Sequence, residues 1–248
     1  MTFLLNHFII KFPMITTNNL TKIYGEQKAL DQLNLKVNQG EIYCLLGANG
    51  AGKTTTINLL LGFIKPTSGI ALIDNMSVHQ NSQETKKKLA YIPENLMLYS
   101  SLTAIENLDY FSGISKKEFS KSELETFLID AGLQKEVFNK RISTFSKGMR
   151  QKVGIAIALA KDAKALLLDE PTSGLDPKAS NEFGLLLQKL CKKGVATLMA
   201  THDLFRAKEV ATSIGIMKDG KLKEQFKGDK ISLSKLEKVY LNTMDYKS

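Results

Sequence analysis

The run Gly47-Ala48-Asn49-Gly50-Ala51-Gly52-Lys53-Thr54 constrains this chain more than any other feature. It has the form GxxxxGK[ST]. Its glycines let the backbone curl so that successive N–H groups point at phosphate oxygens, and the helix that follows adds its positive N-terminal end. Lys53 supplies a point charge for the β- and γ-phosphates, and the Thr54 hydroxyl can ligate Mg²⁺. A motif this short can arise by chance, so its setting decides. Residues 41–46 (EIYCLL) are an apolar run suited to a buried strand, and they lead directly in. Residues 53–61 have helix character and stop at Gly62. A strand, a glycine-rich turn and a helix in that order predict a phosphate cradle formed by Gly47, Asn49, Gly50, Ala51, Gly52, Lys53, Thr54 and Thr55.

A second strand ends in acid. Residues 165–168 (ALLL) run into Asp169 and Glu170. Ligands in open α/β sheets sit at strand ends. There Asp169 would hold Mg²⁺ through water, and Glu170 could polarise an attacking water. Combined with the phosphate loop, the pair defines a P-loop NTPase.

The rest of the chain reads as strands and helices in alternation, which argues for a mainly parallel sheet with helices on its faces. Thr103 with Glu106 predicts a capping box, followed by Ile105, Leu108 and Phe111 at helical spacing. Ser122 with Glu125 repeats that signal. Residues from 94 to about 161 hold no good strand and predict a helical lobe inserted in the α/β core. Asp176 is placed to cap a helix whose first residue is Pro177. That helix presents Phe183, Leu186, Leu187 and Leu190 and ends at Gly194, with the next strand at residues 195–200. Residues 214–217 and 222–226 flank Lys218-Asp219-Gly220, a hairpin signal. Residues 227–248 form a short charged tail with some helical periodicity.

No apolar stretch reaches the roughly 18 residues that cross a bilayer. Residues 1–13 are the nearest, but they are too short to span, and they lack a basic leader and a small-residue cleavage site. Two readings cover them: a start at Met14, or a short extension packing on the body. The first is favoured because the recognisable pattern begins at Ile15. Cys44 and Cys191 show neither CxxC nor metal-ligand spacing, so a disulfide framework is not expected, as in a reducing cytoplasm. Cys44, inside an apolar run, reads as a buried core residue. The net charge of +9 favours acidic partners (nucleotides, nucleic acid or an anionic membrane face) without choosing among them.

From Ile15 to Phe226 the sequence resembles the ATP-binding-cassette (ABC) ATPases, because further segments fall in that family's order. In Leu20-Thr21-Lys22-Ile23-Tyr24-Gly25, the resemblance makes Tyr24 the aromatic that stacks on adenine. In Tyr91-Ile92-Pro93-Glu94, the family usually has glutamine last, where it reaches Mg²⁺ and links core to lobe; a carboxylate can also serve a hard cation. Phe145-Ser146-Lys147-Gly148-Met149 stands where the family has LSGGQ; Ser146 and Gly148 match, whereas Lys147 and Met149 depart. Pro171-Thr172-Ser173-Gly174-Leu175-Asp176 is similar to the segment that crosses the family's dimer interface, and His202 of Thr201-His202-Asp203 to its switch histidine on the γ-phosphate.

The resemblance implies a fold of RecA-like core, N-terminal antiparallel β portion and inserted helical lobe. It places an ATPase domain at residues 14–226, with the lobe at about 95–161. It implies ATP and Mg²⁺ as cofactors, with Glu170, His202 and Lys53 as the catalytic set. The partners implied are a polytopic membrane permease and a second ATP-binding subunit, identical or paralogous. The subunit itself would lie at the cytoplasmic face of the membrane without a span of its own. Ser146 and Gly148 would act in trans, on ATP held by the second subunit. Glu94 and the Ser-Lys-Gly-Met form point to an exporter branch. Two rivals are weaker. A soluble ABC protein of translation or DNA repair usually carries two cassettes or long heptad coiled coils, and neither is seen here. A non-catalytic nucleotide- or nucleic-acid-binding subunit conflicts with the presence of both Lys53 and Glu170, and nucleic acid is not an expected partner because no RNA- or DNA-binding motif is present.

Overall fold

The fold was analysed in a computed structural model that describes residues 12–245. The reading of residues 1–13 as an extension or as sequence upstream of a start falls outside the described residues for 1–11, whereas Phe12 O accepts from Gln39 N–H and Pro13 already opens β1.

In chain order the elements are β1 (Pro13–Tyr24), β2 (Gln27–Asn38), β3 (Ile42–Leu46), α1 (Lys53–Leu60), β4 (Ser68–Ile73), β5 (Met76–Ser77), α2 (Ser82–Lys88) and β6 (Leu89–Ile92). Then come α3 (Ala104–Ile114), α4 (Lys121–Asp130), α5 (Lys147–Ala160), β7 (Ala165–Asp169), α6 (Pro177–Lys192), β8 (Ala196–Thr201), α7 (Leu204–Val210), β9 (Ser213–Lys218), β10 (Lys221–Lys227) and α8 (Leu233–Thr243).

A six-stranded sheet runs in the order β10-β9-β3-β8-β7-β6. Its strands are parallel except for β10, which returns antiparallel to β9 through the Asp219-Gly220 turn. A separate antiparallel sheet has the order β2-β1-β4-β5. The parallel strands are mostly apolar because both faces are covered. Alternate residues then feed two different cores. Ile42, Cys44, Leu46, Leu166 and Leu168 join the helices on one face. Tyr43, Leu45, Ala165 and Leu167 join α1 and the antiparallel sheet on the other. Cys44 is fully buried and free, as its apolar setting predicts.

Between β6 and β7 the chain builds three α-helices and two short 3-10 turns, with only an isolated bridge between Thr103 and Arg141. The Thr103–Glu106 capping box forms as expected. The second one is displaced from the expected Ser122–Glu125: α4 is capped by Ser120, whose hydroxyl accepts from Glu123 N–H while Glu123 accepts from Ser120 N–H. Ser122 lies inside the helix, its carbonyl accepting from Thr126 Oγ1. The helix so capped buries Leu124 and Leu128. The tail holds α8, an amphipathic helix anchored by buried Leu236.

Candidate functional site

Parallel register gathers the sequence motifs at one edge. Leu46 pairs with Thr201, Asp169 with Ala200, and Ile92 with Leu168. The segments that leave the carboxyl ends of β3, β7, β8 and β6 therefore emerge side by side. They carry the glycine loop, Glu170, His202 and Glu94.

The loop is held from behind. Gly47 N–H donates to Thr201 O (3.2 Å) and Gly220 N–H to Ala51 O (3.1 Å). Gly52 sits at φ +104°, and a Cβ there would stand 2.7 Å from Ala29 O on β2. Only glycine fits that backbone and that approach. Gly47, Ala51 and Lys53 are buried, whereas Asn49, Gly50 and Thr54 face outward and Thr55 is half-buried. Helix α1 begins at Lys53 without a side-chain cap, so its first N–H groups remain directed at the loop. Lys53 Nζ donates to Gly47 O (2.6 Å) and Ala48 O (3.1 Å) and lies 3.7 Å from Glu170 Oε1. Burial pulls its ammonium below the usual lysine range, against the opposing pull of Glu170 and Asp169.

Asp169 closes β7 and is buried; its Oδ1 accepts from the Thr54 hydroxyl (3.4 Å). Burial raises its carboxyl above the ordinary aspartate range; Thr54 and Lys53 work against this, and the charges of Glu170 and Glu94 add to it. Glu170 adopts φ +45° immediately before Pro171, a conformation that non-glycine residues rarely hold. It is tied in place: its N–H donates to Ala200 O (2.9 Å), Thr201 Oγ1 donates to Oε2 (3.2 Å), His202 N–H approaches Oε2 (3.4 Å), and His202 Nδ1 lies 2.9 Å from Oε1. Strain at a carboxylate held from several sides is typical of a functional position.

The remaining predicted residues lie further out. Tyr24 is about half exposed at the β1–β2 turn, with the Lys22 ammonium 4.9 Å from its ring centroid. Glu94 accepts from Ser173 Oγ (2.9 Å). Ser146 is exposed and caps α5, accepting from Met149 N–H (3.2 Å). Gly148 packs so closely that a Cβ would stand 3.1 Å from Ala179 Cβ. Asp176 caps α6 by accepting from Ala179 N–H (2.9 Å). Among the described residues, no hydrogen bond or ion pair joins Ser146 or Gly148 to Lys53, Thr54, Asp169, Glu170 or His202.

Two contributors escaped the sequence reading, Thr201 and Ser173. Thr201 was visible only as the residue before His202, and its hydroxyl reaches Glu170 because β8 runs beside β7. Ser173 was visible as part of the segment after Glu170, without any sign that it reaches Glu94.

The sequence profile described as ABC transporter matches residues 30–173. The chain belongs to the ABC transporter family. It is similar to the bacitracin transport ATP-binding protein BcrA of Bacillus licheniformis, 42% identical over 92% of this chain and 74% of that one. The protein of the same name from Enterococcus faecalis is 38% identical over 91% and 71%. Among solved structures, a dimeric ATP-binding cassette in a post-hydrolysis state with ADP and Pi matches with a TM-score of 0.76 and 30% identity, covering 86% of this chain and 98% of that one. The ABC chain described here is thus an ATP-binding subunit and an ATPase with the P-loop fold. Among the described residues, no helix is long and apolar enough to cross a membrane.

Proposed function

We propose that this ABC subunit works as one of a pair of cassettes that close over ATP and drive a separate polytopic permease, moving cargo outward. The observation that carries the reading is the Glu170 carboxylate, strained and held by Thr201 and His202 beside Lys53. Glu170 then accepts a proton from the attacking water, and Lys53 and the loop N–H groups hold the β- and γ-phosphates. His202 fixes Glu170 from the strand edge and faces the γ-phosphate. Tyr24 stacks on the adenine from the β1–β2 turn. Among the described residues, Ser146 makes no hydrogen bond to its own phosphate loop, which supports a role with Gly148 on ATP held by the second subunit, with Asp176 at the seam between them.

The residues present fit Mg²⁺. Thr54 and Asp169 offer hard oxygens 3.4 Å apart, and Glu94 is close enough to raise the Asp169 carboxyl. Bound there, Mg²⁺ would neutralise charge on the β- and γ-phosphates. Thr54 and Asp169 would hold it, with Glu94 reaching from the end of β6.

Export rests on Glu94 and the Ser146-Lys147-Gly148-Met149 form. The bacitracin-transport names of the two relatives make bacitracin the first cargo to test. The reading is tested by purifying tagged Glu170→Gln chain from membranes with ATP. A polytopic permease at stoichiometric yield is the expected result. Ribosomes or DNA without a membrane protein would overturn it.

A further inference from the structure

Glu94 and Lys147 depart from the usual family pattern separately in sequence, one in place of glutamine and the other in place of glycine. In the fold they meet. Lys147 Nζ lies 4.0 Å from Glu94 Oε1, and Ser173 Oγ donates to that same oxygen at 2.9 Å. Among the described residues, no hydrogen bond or ion pair engages Glu94 Oε2. Lys147 is the first residue of α5, at the helix's positive end, where a cation is disfavoured. Helix electrostatics therefore do not account for it, whereas an ion pair with Glu94 does. A carboxylate in place of an amide also brings a further negative charge toward Asp169, which already carries the effects of burial and of Glu170.

We propose that Lys147 is a positioning residue for Glu94. With Ser173 it holds Oε1, so that Oε2 is presented to the metal–nucleotide complex, and it offsets the charge that Glu94 brings to the site. The proposal rests on the reading that Glu94 reaches Mg²⁺. The contact also has a mechanical side. Lys147 opens a helix of the inserted segment, Glu94 follows β6, and Ser173 follows β7. One carboxylate oxygen thus ties the helical segment to two strand ends. Glu94→Gln is consequently not a harmless return to the common pattern, because it leaves Lys147 as an unmatched cation beside the site.

The test compares the unaltered chain with Glu94→Gln, Lys147→Gly and the double variant, plus Glu94→Ala and Lys147→Arg. Two quantities are read: the Mg²⁺ concentration that half-saturates ATP hydrolysis, and the Mg²⁺-dependent rise in Tm with a non-hydrolysable ATP analogue. Each of the first two single variants is expected to raise the half-saturating Mg²⁺ by about threefold, the size of a partly exposed ion pair. The double variant returns to within about twofold of the unaltered chain, because it leaves neither an unmatched cation nor an unheld carboxylate, so the two single effects do not add. Lys147→Arg keeps the unaltered value. Additive single effects, or a Lys147→Gly variant equal to the unaltered chain while Glu94→Ala still shifts the Mg²⁺ demand, would remove Lys147 from the role and leave Glu94 in place. A Glu94→Ala variant with unmoved Mg²⁺ demand would overturn the reading of Glu94 itself. Should Lys147→Gly lose the fold, judged by Tm without Mg²⁺, Lys147→Met keeps the helix and the apolar stem and takes its place in the comparison.

Discussion

Among the groups that fix Glu170, Thr201 has no catalytic role of its own and acts only by holding the carboxylate. The Thr201 hydroxyl donates to Glu170 Oε2 and accepts from Asp203 N–H at the start of α7. Thr201→Val keeps the shape, removes both bonds and lets the carboxylate drift. The expected outcome is a fall in kcat of about tenfold with KM for ATP almost unchanged, because positioning acts on the transition state more than on binding. Steady-state phosphate release checks this. Glu170→Gln should cost at least about a hundredfold in kcat, the range for a general base, while ATP binding persists. ATP-dependent dimer formation by that variant, read by size-exclusion chromatography, distinguishes a lost base from a lost fold.

At the scale of elements, the turns and strand ends decide where these residues sit. Gly52→Ala would meet both a strained φ and the Ala29 carbonyl of β2. It should weaken ATP binding and destabilise the chain by about 1–3 kcal/mol, measured by nucleotide titration and chemical denaturation. Glu41, buried just before β3, ties that strand to its neighbours. Its Oε2 accepts from Asn38 N–H and Nδ2, while Oε1 accepts from Ser213 and Lys227. Burial alone would raise its carboxyl, but those hydrogen bonds and the Lys227 charge outweigh burial and hold it below the usual glutamate range. A depressed carboxyl stabilises the fold above the unfolded-chain glutamate value and loses that contribution as pH falls through the lowered folded value. Stability should therefore drop over that acid window, and Glu41→Gln should flatten that part of the profile in denaturation curves taken at stepped pH.

For the whole molecule, the six-stranded sheet separates two cores, and each strand serves both. Leu167 faces α1 and the antiparallel sheet, whereas Leu168 faces the helices. Alanine at either position leaves a cavity and should cost about 2–5 kcal/mol, lowering Tm by roughly 2–4 °C per kcal/mol in a chain this size. Similar shifts for both would show that the two cores unfold together. A shift confined to one, with a second transition, would show that they do not.

Much of this was legible in the chain itself. The glycine loop, the Asp169–Glu170 strand end, Asp176 as a cap before Pro177 and the buried strands all follow from local patterns, because turn geometry, capping and hydrophobic periodicity act over a few residues. The family order of motifs was legible for the same reason. Two local patterns competed at Ser120 and Ser122, and only the structure shows that Ser120 and Glu123 make the cap. Contacts between motifs were not legible. That β8 lies between β3 and β7, so that Thr201 braces Glu170, depends on strand order. That Glu94, Lys147 and Ser173 share one oxygen depends on how the helical segment rests on the sheet. The sequence determined the chemistry each segment can offer, since it specifies side chains and local backbone. Only the tertiary structure decided which offers meet, since register and packing are settled by burial over the whole chain.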